Sequence, residues 1–259
     1  MIEQKLRDKR AIVTAGASGI GRVIAERLRA AGARVAVCDI EEAALRAVKD
    51  AWPDVIAVRC DVSDPEAVET AMDEMLARLG GVDILVNNAG SAGPTACVED
   101  IDVTEWDQAI RVNLNSQFLF TRGVVPAMKR QESGVIFNMS SAAGRLGMPM
   151  RSPYVAAKWA VIGLTQTLAM ELGPSNIRVN AILPGSVRGD RMTRVMQAKA
   201  EATGQSVRDI EAEETAAMSL GRMIEPDEIA DLVVYVASDS GRSISGQSLG
   251  VCGNTEILR

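Results

Sequence analysis

The chain has 259 residues, 47% of them hydrophobic, which suits the core of one large α/β domain. Its net charge of −6 argues against nucleic acid and anionic membranes as main partners. Histidine is absent, which excludes a Ser-His-Asp hydrolase, a Cys-His protease and a His-ligated zinc site. Acid–base chemistry must therefore come from Tyr, Lys, Asp, Glu or water, and we expect no metal site.

Nothing in the sequence indicates a membrane span or an export signal. No apolar run reaches the length of about 18 residues that a spanning helix needs. The first residues are charged and lack the apolar core of a signal peptide, so we expect a cytoplasmic protein. The cysteines form no C-x-x-C pair, and we interpret them as four reduced core thiols. They are Cys38, Cys60, Cys97 and Cys252.

Short apolar runs alternate with amphipathic stretches along the chain. The predicted strands are Arg10–Thr14, Arg34–Asp39 and residues 55–59, 83–87, 135–139, 177–182 and 247–251. The predicted helices are Pro65–Leu79, Pro226–Ala237 and residues 20–31, 41–51, 104–131 and 153–172. Buried strands separated by helices indicate a parallel sheet covered on both faces. The sequence therefore predicts a doubly wound, Rossmann-like α/β fold with a seven-stranded parallel sheet, as a single domain over residues 1–259.

Residues 186–225 interrupt this alternation. They carry mixed charge, show no strand pattern and follow Pro184-Gly185. Apolar residues at Met192, Val195 and Met196 have the spacing of a short amphipathic helix, and Val207 and Ile210 continue the pattern. A segment of this length inside a compact domain is usually functional, so we predict a lid over the ligand crevice.

A glycine-rich turn follows the first predicted strand. Its glycines, Gly16, Gly19 and Gly21, have the spacing G-x-x-G-x-G, with Ser18 and Ile20 between them, and differ from the G-x-G-x-x-G fingerprint. Glycines let a backbone approach a pyrophosphate closely, and the helix N-terminus that follows attracts negative charge. The turn predicts a dinucleotide site, although a glycine turn can also simply connect a strand to a helix.

Asp39 ends the second predicted strand. An acid in this position can accept hydrogen bonds from the ribose hydroxyls of NAD and would repel the 2′-phosphate of NADP. NAD is therefore favoured over NADP. The same residue could instead cap the helix that begins near Glu41.

Tyr154 and Lys158 stand four residues apart on a predicted helix, with Ser141 thirteen residues before the tyrosine. This step places the phenol and the amine on one face, about 5–6 Å apart at Cβ. A neighbouring ammonium group favours the phenolate by charge proximity, which suits Tyr154 to proton exchange during hydride transfer.

Together these motifs resemble the short-chain dehydrogenase/reductase family, in particular its members of about 250 residues. The resemblance covers residues 8–252. It rests on the glycine turn, Asp61-Val62, Asn87-Asn88-Ala89-Gly90, Asn113, Ser141, Tyr154-x-x-x-Lys158 and Pro184-Gly185.

The resemblance implies a catalytic set of Asn113, Ser141, Tyr154 and Lys158. In it, Ser141 would bind the substrate oxygen, Tyr154 would exchange the proton, and Lys158 would bind ribose. Asn113 would hold a water of a proton relay, and Ser140 is a rival for Ser141. The implied cofactor-binding residues are Gly16, Ser18, Gly19, Ile20, Gly21, Asp39, Asp61, Val62, Asn87, Ala89, Gly90, Tyr154, Lys158, Pro184, Gly185 and Val187. Residues 87–90 could instead be a turn that stabilises the sheet.

Three positions depart from the family pattern. Ala15 replaces the first glycine of the turn, and Gly189 replaces a threonine expected to contact the nicotinamide amide. Cys252 lies where an acidic residue usually precedes the glycine of the last strand. We expect the turn to shift slightly and one cofactor contact to be lost.

The resemblance implies an NAD-dependent oxidoreductase that interconverts a secondary alcohol and a ketone, assembled as a homotetramer. Arginines near the expected pocket favour a small polar hydroxy compound, namely a sugar, a polyol or a sugar-derived acid, because a guanidinium suits a carboxylate. The candidates are Arg145, Arg151, Arg188, Arg191 and Arg194. The alternatives are a 3-oxoacyl thioester reductase and a dinucleotide-binding protein without catalysis.

Overall fold

The computed structural model describes residues 6–257, so residues 1–5 and 258–259 of the predicted domain lie outside the described residues. Within this range the chain forms a seven-stranded parallel sheet with the order β3-β2-β1-β4-β5-β6-β7. The strands are β1 (Arg10–Thr14), β2 (Arg34–Asp39), β3 (Ile56–Arg59), β4 (Ile84–Asn87), β5 (Gly134–Met139), β6 (Ile177–Pro184) and β7 (Ser248–Val251). The predicted sheet is confirmed, and β6 extends two residues further than expected.

The predicted helices are also present, with ends that differ by at most one residue. The helices are α1 (Gly19–Ala30), α2 (Glu42–Ala51), α3 (Pro65–Leu79), α4 (Val103–Ile110), α5 (Ser116–Gln131), α6 (Ser152–Leu172), α7 (Asp190–Thr203), α8 (Val207–Ala216) and α9 (Pro226–Ala237). The prediction of one helix over residues 104–131 was wrong in one respect, because a π-helical turn, Arg111–Asn115, separates α4 from α5.

Each face of the sheet has its own apolar core because side chains alternate along the strands. On β1, Ala11 and Val13 pack in the core under α1 and α9, whereas Ile12 packs in the core under α3 and α5. The strand order reverses between β1 and β4, which lie side by side. In doubly wound sheets this reversal opens the ligand crevice at the carboxyl ends of the strands.

The segment between β6 and α9 contains two helices, α7 and α8, as its apolar spacing predicts. Met196, Ile210, Met218 and Met223 form a small core of their own. A bridge between Val187 and Ile224 joins the two ends of the segment. The segment is therefore a folded unit at the carboxyl edge of the sheet, and its action as a lid stays a prediction.

The cysteines only partly match the prediction of four core thiols. Cys38 and Cys60 are buried, but Cys97 is exposed and Cys252 is half-buried, because both lie in loops outside the sheet core. Along residues 6–257, no helix combines the length and apolarity needed to cross a membrane.

Candidate active site

Tyr154 and Lys158 lie in the first two turns of α6 and face the same side. The Nζ of Lys158 is 5.6 Å from the centroid of the Tyr154 ring. It is buried and donates a 2.8 Å hydrogen bond to the carbonyl oxygen of Met139, at the end of β5. Burial, followed by the charge of Arg191, lowers the pKa of Lys158 to about 7. The predicted juxtaposition of amine and phenol is therefore present.

Asn113 reaches the same place from the π-helical turn. Its Nδ2 donates to the carbonyl oxygen of Ala109 at 2.9 Å and to Ser91 Oγ at 3.2 Å. Its Oδ1 is buried and has no hydrogen-bond partner among residues 6–257. Such turns are frequent at functional sites because the extra residue redirects side chains.

Gly90 lies between Asn113 and Lys158. A Cβ at this position would lie 2.9 Å from Asn113 Oδ1 and 3.5 Å from Lys158 Nζ. The buried amide oxygen and the buried amine therefore border one small space at the carboxyl end of β4. A polar molecule there would have an acceptor on one side and a donor on the other.

The two candidate serines have different surroundings. Ser140 is buried, and its Oγ donates a 2.7 Å hydrogen bond to the carbonyl oxygen of Lys158 within α6. Ser141 is half-buried, and its Oγ accepts from the backbone N–H of Ala143 at 3.2 Å. The hydroxyl proton of Ser141 is left to donate elsewhere, so the geometry favours Ser141 over Ser140 as a substrate-binding group.

Two of the five candidate arginines border the phenol. The Cζ atoms of Arg151 and Arg191 lie 5.2 Å and 6.0 Å from the Tyr154 ring centroid. The other three are directed elsewhere or lie at the surface. Arg145 donates to the carbonyl oxygen of Ser248, Arg188 pairs with Glu225, and Arg194 is exposed.

The glycine turn keeps its tight course despite Ala15. Ala15 adopts a left-handed conformation with φ of 47°, the region that favours glycine. A Cβ at Gly21 would lie 2.2 Å from the Ala15 carbonyl oxygen, and one at Gly16 would lie 2.7 Å from Val37 Cγ1. Both glycines are therefore required by packing, while a Cβ at Gly19 would meet open space.

Asn88, which the motif analysis did not assign, fixes this turn from the end of β4. Its Nδ2 donates to the carbonyl oxygens of Thr14 and Ala15 at 3.0 Å and 3.2 Å. The backbone N–H of Ala89 donates to Thr14 Oγ1 at 2.9 Å. In the sequence, the position of Asn88 between Asn87 and Ala89 was the signal that could have identified it. Its function of holding the turn becomes visible only when β1 and β4 lie side by side.

Asp39 is buried at the end of β2, next to the turn. Its carboxylate accepts from the backbone N–H of Ala17 and of Glu41, each at 3.2 Å. The bond to Glu41, the N-cap residue of α2, agrees with the helix-cap alternative, which is compatible with a cofactor function of the same carboxylate. Each carboxylate oxygen of Asp39 retains accepting capacity for a further hydrogen bond.

Asp61 and Val62 follow β3 at the same edge of the sheet. Asp61 Oδ1 accepts from the backbone N–H and the hydroxyl of Ser63, which shapes the loop. Asn87 fits the alternative of a group that stabilises the sheet, and its contribution to the cofactor site stays a prediction. Its side chain lies in the sheet interior and donates to Asn138 Oδ1 at 2.9 Å, so it links β4 to β5.

The last part of the cradle is formed by Pro184, the last residue of β6, and by Gly185 and Val187, which follow it. A Cβ at Gly185 would lie 2.8 Å from the Cα of Cys252, so glycine is needed where this loop meets the end of β7. Gly189 has φ of 143°, a conformation that L side chains rarely adopt. The backbone therefore explains why glycine stands where a threonine was expected.

These residues fit a dinucleotide. The backbone of the turn is open at Gly19, and the N-cap Ser18 of α1 makes no side-chain capping bond, which leaves the helix N-terminus available to an anion. The Asp39 carboxylate lies beside the turn, and Asn113 Oδ1, which has no partner among residues 6–257, lies near Lys158 at the other end. The cradle extends from β2, past β1 and β4, to β6.

A doubly wound sheet with this cradle and a Tyr-Lys pair at its end defines a dinucleotide-dependent oxidoreductase. Residues 14–253 match the family model described as "Enoyl-(Acyl carrier protein) reductase". The chain belongs to the short-chain dehydrogenase/reductase family. Its similar proteins include named dehydrogenases of alcohols, which places it among the oxidoreductases that act on CH–OH groups.

Three proteins that are similar to this chain carry the names of different activities. A trans-4-hydroxycyclohexanecarboxylate dehydrogenase from Sinomonas cyclohexanicum is 37% identical over 97% of this chain and 94% of its own. A protein named as a ketoacyl reductase of the granaticin polyketide synthase, from Streptomyces violaceoruber, is 38% identical over 94% and 91%. A crystal structure of NAD+-bound xylitol dehydrogenase superposes with a TM-score of 0.91 at 29% identity, over 96% and 99%.

Proposed function

We propose that this protein is an NAD-dependent dehydrogenase that interconverts a secondary alcohol and a ketone in a small polar hydroxy compound. The observation that carries the proposal is the cluster around Gly90, where Lys158 and the free oxygen of Asn113 border one space next to Tyr154. The polar substrates in the names of two similar proteins, a hydroxy acid and a polyol, support this substrate class.

The side chains supply proton handling and alignment. The nicotinamide supplies hydride chemistry when bound. Tyr154 accepts the hydroxyl proton of the alcohol, and Ser141 donates a hydrogen bond to the same oxygen, so that the carbon is held in one orientation. Lys158 binds ribose hydroxyls and passes the proton toward the space that it shares with Asn113. In the reverse direction, Tyr154 protonates the oxygen of the ketone.

NAD is the proposed cofactor because of Asp39. Its buried carboxylate stands where the adenosine ribose would lie, and it would repel a 2′-phosphate while accepting hydrogen bonds from hydroxyls. The NAD+-bound xylitol dehydrogenase has the same fold over almost the full chain, which supports this choice.

Absorbance of the reduced nicotinamide tests the proposal. We expect NAD to be reduced with at least one member of a panel of sugars, polyols and hydroxy acids, and NADP to be a much poorer acceptor. Tyr154→Phe should lower turnover by about 10²–10⁴-fold, because the proton acceptor is lost, and leave the Kd for NAD nearly unchanged. Turnover by Tyr154→Phe at the wild-type rate would overturn the assignment.

Reduction of a 3-oxoacyl thioester is the second candidate, and the ketoacyl reductase relative is what favours it. This reaction would use the same Tyr154 and Ser141, but the substrate would be an acyl thioester. Oxidation of NADH or NADPH with an acetoacetyl thioester distinguishes the two, since the polar-substrate proposal predicts a lower kcat/KM for the thioester than for the best hydroxy compound.

We further propose a cytoplasmic homotetramer that acts on a small molecule. Large apolar side chains are exposed on the helices that such an assembly would pair, namely Phe118 on α5 and Trp159 and Met170 on α6. Light scattering at micromolar concentration should give about four times the chain mass of 27.6 kDa. A monomer would contradict the proposed tetramer and leave the proposed activity unaffected.

A further inference from the structure

Two guanidinium groups without a function in proton transfer converge on the catalytic phenol. Arg151 immediately precedes α6, and Arg191 lies in the first turn of α7. Their Cζ atoms are 5.2 Å and 6.0 Å from the centroid of the Tyr154 ring, so two separate elements of the chain present positive charge at the same place.

Backbone carbonyls of one loop hold both groups. Arg151 Nη2 donates to the Ala92 oxygen at 2.6 Å, while Arg191 donates to the Gly90 and Ser91 oxygens at 3.3 Å and 3.1 Å. Carbonyl oxygens orient a guanidinium but bring no net negative charge. Each guanidinium also keeps donors that these three bonds do not use.

Arg151 is buried and forms no ion pair with any of the described residues. Only 4% of its surface is exposed, and its buried Nε has no partner within the part of the chain that is described. Burial lowers the pKa of Arg151 and the charge of Arg191 adds to this shift, while Tyr154 and Glu214 oppose it. Glu214 is itself bound by Ser186 and Lys199, so among the described residues no carboxylate pairs directly with either arginine.

We propose that Arg151 and Arg191 bind a carboxylate of the substrate while its hydroxyl lies against Tyr154, so that the substrates are hydroxy acids and their oxo acids. This inference rests on the proposed dehydrogenase function and narrows its substrate class. Guanidinium groups bind carboxylates through paired, charge-assisted hydrogen bonds, and a carboxylate here would supply the missing charge. Sugars and polyols without an acid group become poor substrates.

A rival function for the arginines is to act on the Tyr154 phenol itself. In that case neutral and acidic substrates would lose turnover equally when an arginine is removed, and the acid-to-amide ratio would stay unchanged. A second rival is cofactor binding, in which case removal would raise the Kd for NAD. The substrate-binding function predicts neither effect.

The experiment compares a panel of ring and chain hydroxy acids with their carboxamides, beginning with trans-4-hydroxycyclohexanecarboxylate, in NAD reduction. We expect kcat/KM for the best acid to exceed that of its amide by about 10- to 150-fold, the equivalent of one charged hydrogen bond. Arg191→Gln should remove most of this ratio through the KM of the acid and leave the Kd for NAD near its wild-type value. Because the charge of Arg191 also lowers the pKa of Lys158, its loss changes kcat for acid and amide together, and the acid-to-amide ratio is the readout.

Matched variants separate charge from folding. Arg188→Gln is the control, since that guanidinium lies in the same segment but is already paired with Glu225, and its acid-to-amide ratio should stay wild-type. Arg191→Lys should restore part of the ratio because it keeps the charge without the planar fork. Arg151→Gln should act like Arg191→Gln, with circular dichroism to check its fold. If that variant unfolds, Arg191, which is exposed, decides the question.

Equal kcat/KM for acids and amides in the wild type, or an equal loss for both in Arg191→Gln, would overturn the inference. A calorimetric titration of the same protein with cyclohexanecarboxylate and other unreactive acids, each against its amide, gives an independent reading. If no compound is turned over, acid-selective binding that Arg191→Gln abolishes still supports the carboxylate site, and the dehydrogenase proposal alone fails. If no acid binds better than its amide, the carboxylate site fails.

Discussion

The two ends of the crevice differ in how their polar groups are satisfied. At the glycine turn, the side chains that hold the backbone have partners within the turn itself, as Asp39 does with Ala17 and Glu41. At the phenol, Lys158 is buried with only a carbonyl partner, and buried atoms of Asn113 and Arg151 have no partner among the described residues. Among the described residues the first end is held by bonds within the protein, whereas the second leaves a buried acceptor and a buried donor unpaired.

This difference predicts that changes at the phenol end affect catalysis more than stability. Ser141→Ala should lower kcat by about 10²–10³-fold, because a donor to the reacting oxygen is lost. Ser140→Ala should instead lower the free energy of unfolding by about 1 kcal/mol, since it breaks a buried bond to Lys158, with a smaller loss of turnover. Steady-state kinetics and urea denaturation of both variants check this, and a larger kinetic loss in Ser140→Ala would exchange their assignments.

At the turn, packing should decide the affinity for NAD. Gly21→Ala places a Cβ 2.2 Å from the Ala15 carbonyl oxygen, and the turn has to move. We expect the Kd for NAD, measured by calorimetry, to rise about 10- to 100-fold, the equivalent of about 1–3 kcal/mol of strain. Gly163→Ala in α6 is the control, because its Cβ meets open space. An unchanged Kd in Gly21→Ala would show that the turn is looser than its contacts indicate.

The uncompensated charge at the phenol end should be visible in stability. The pKa of Lys158 is about 7 in the folded protein and 10.5 for an ordinary lysine, so between these values the unfolded chain binds one more proton. The free energy of unfolding should therefore rise with pH above 7, by up to about 1.4 kcal/mol per unit from this group. Urea denaturation without NAD at pH 7, 8 and 9 measures the difference between wild type and Lys158→Met. Parallel curves would contradict the shift.

The smallest expected effect concerns Ala15. Ala15 has a left-handed conformation that glycine adopts without strain. Ala15→Gly should therefore raise the free energy of unfolding by about 0.5–1 kcal/mol. Ala43→Gly in α2, at an exposed helical position, should lower it by about 1 kcal/mol. Thermal unfolding of both variants is sufficient, and a destabilised Ala15→Gly would show that the alanine methyl group contributes packing that outweighs the strain.

The sheet and most helix ends could be predicted because short apolar runs alternate with amphipathic stretches along the chain and because turn residues mark the boundaries. Tyr154 and Lys158 could also be brought together, since helical spacing alone determines their proximity. The π-helical turn at Asn113 could not, because the helical spacing of residues 104–131 gives no sign of it. Five arginines looked equivalent in sequence, and only the loop at residues 90–92 separates Arg151 and Arg191 from the others.

The loop that orients both arginines does so with peptide oxygens, and this has a consequence for how the enzyme can diversify. Because Gly90, Ser91 and Ala92 contribute main-chain atoms, replacing the side chains at 91 and 92 leaves the docking positions for both guanidinium groups in place. Selection can then exchange Arg151 or Arg191 for neutral residues without rebuilding the scaffold. If the two arginines bind the substrate carboxylate as proposed, preference for a charged substrate depends on one or two side chains.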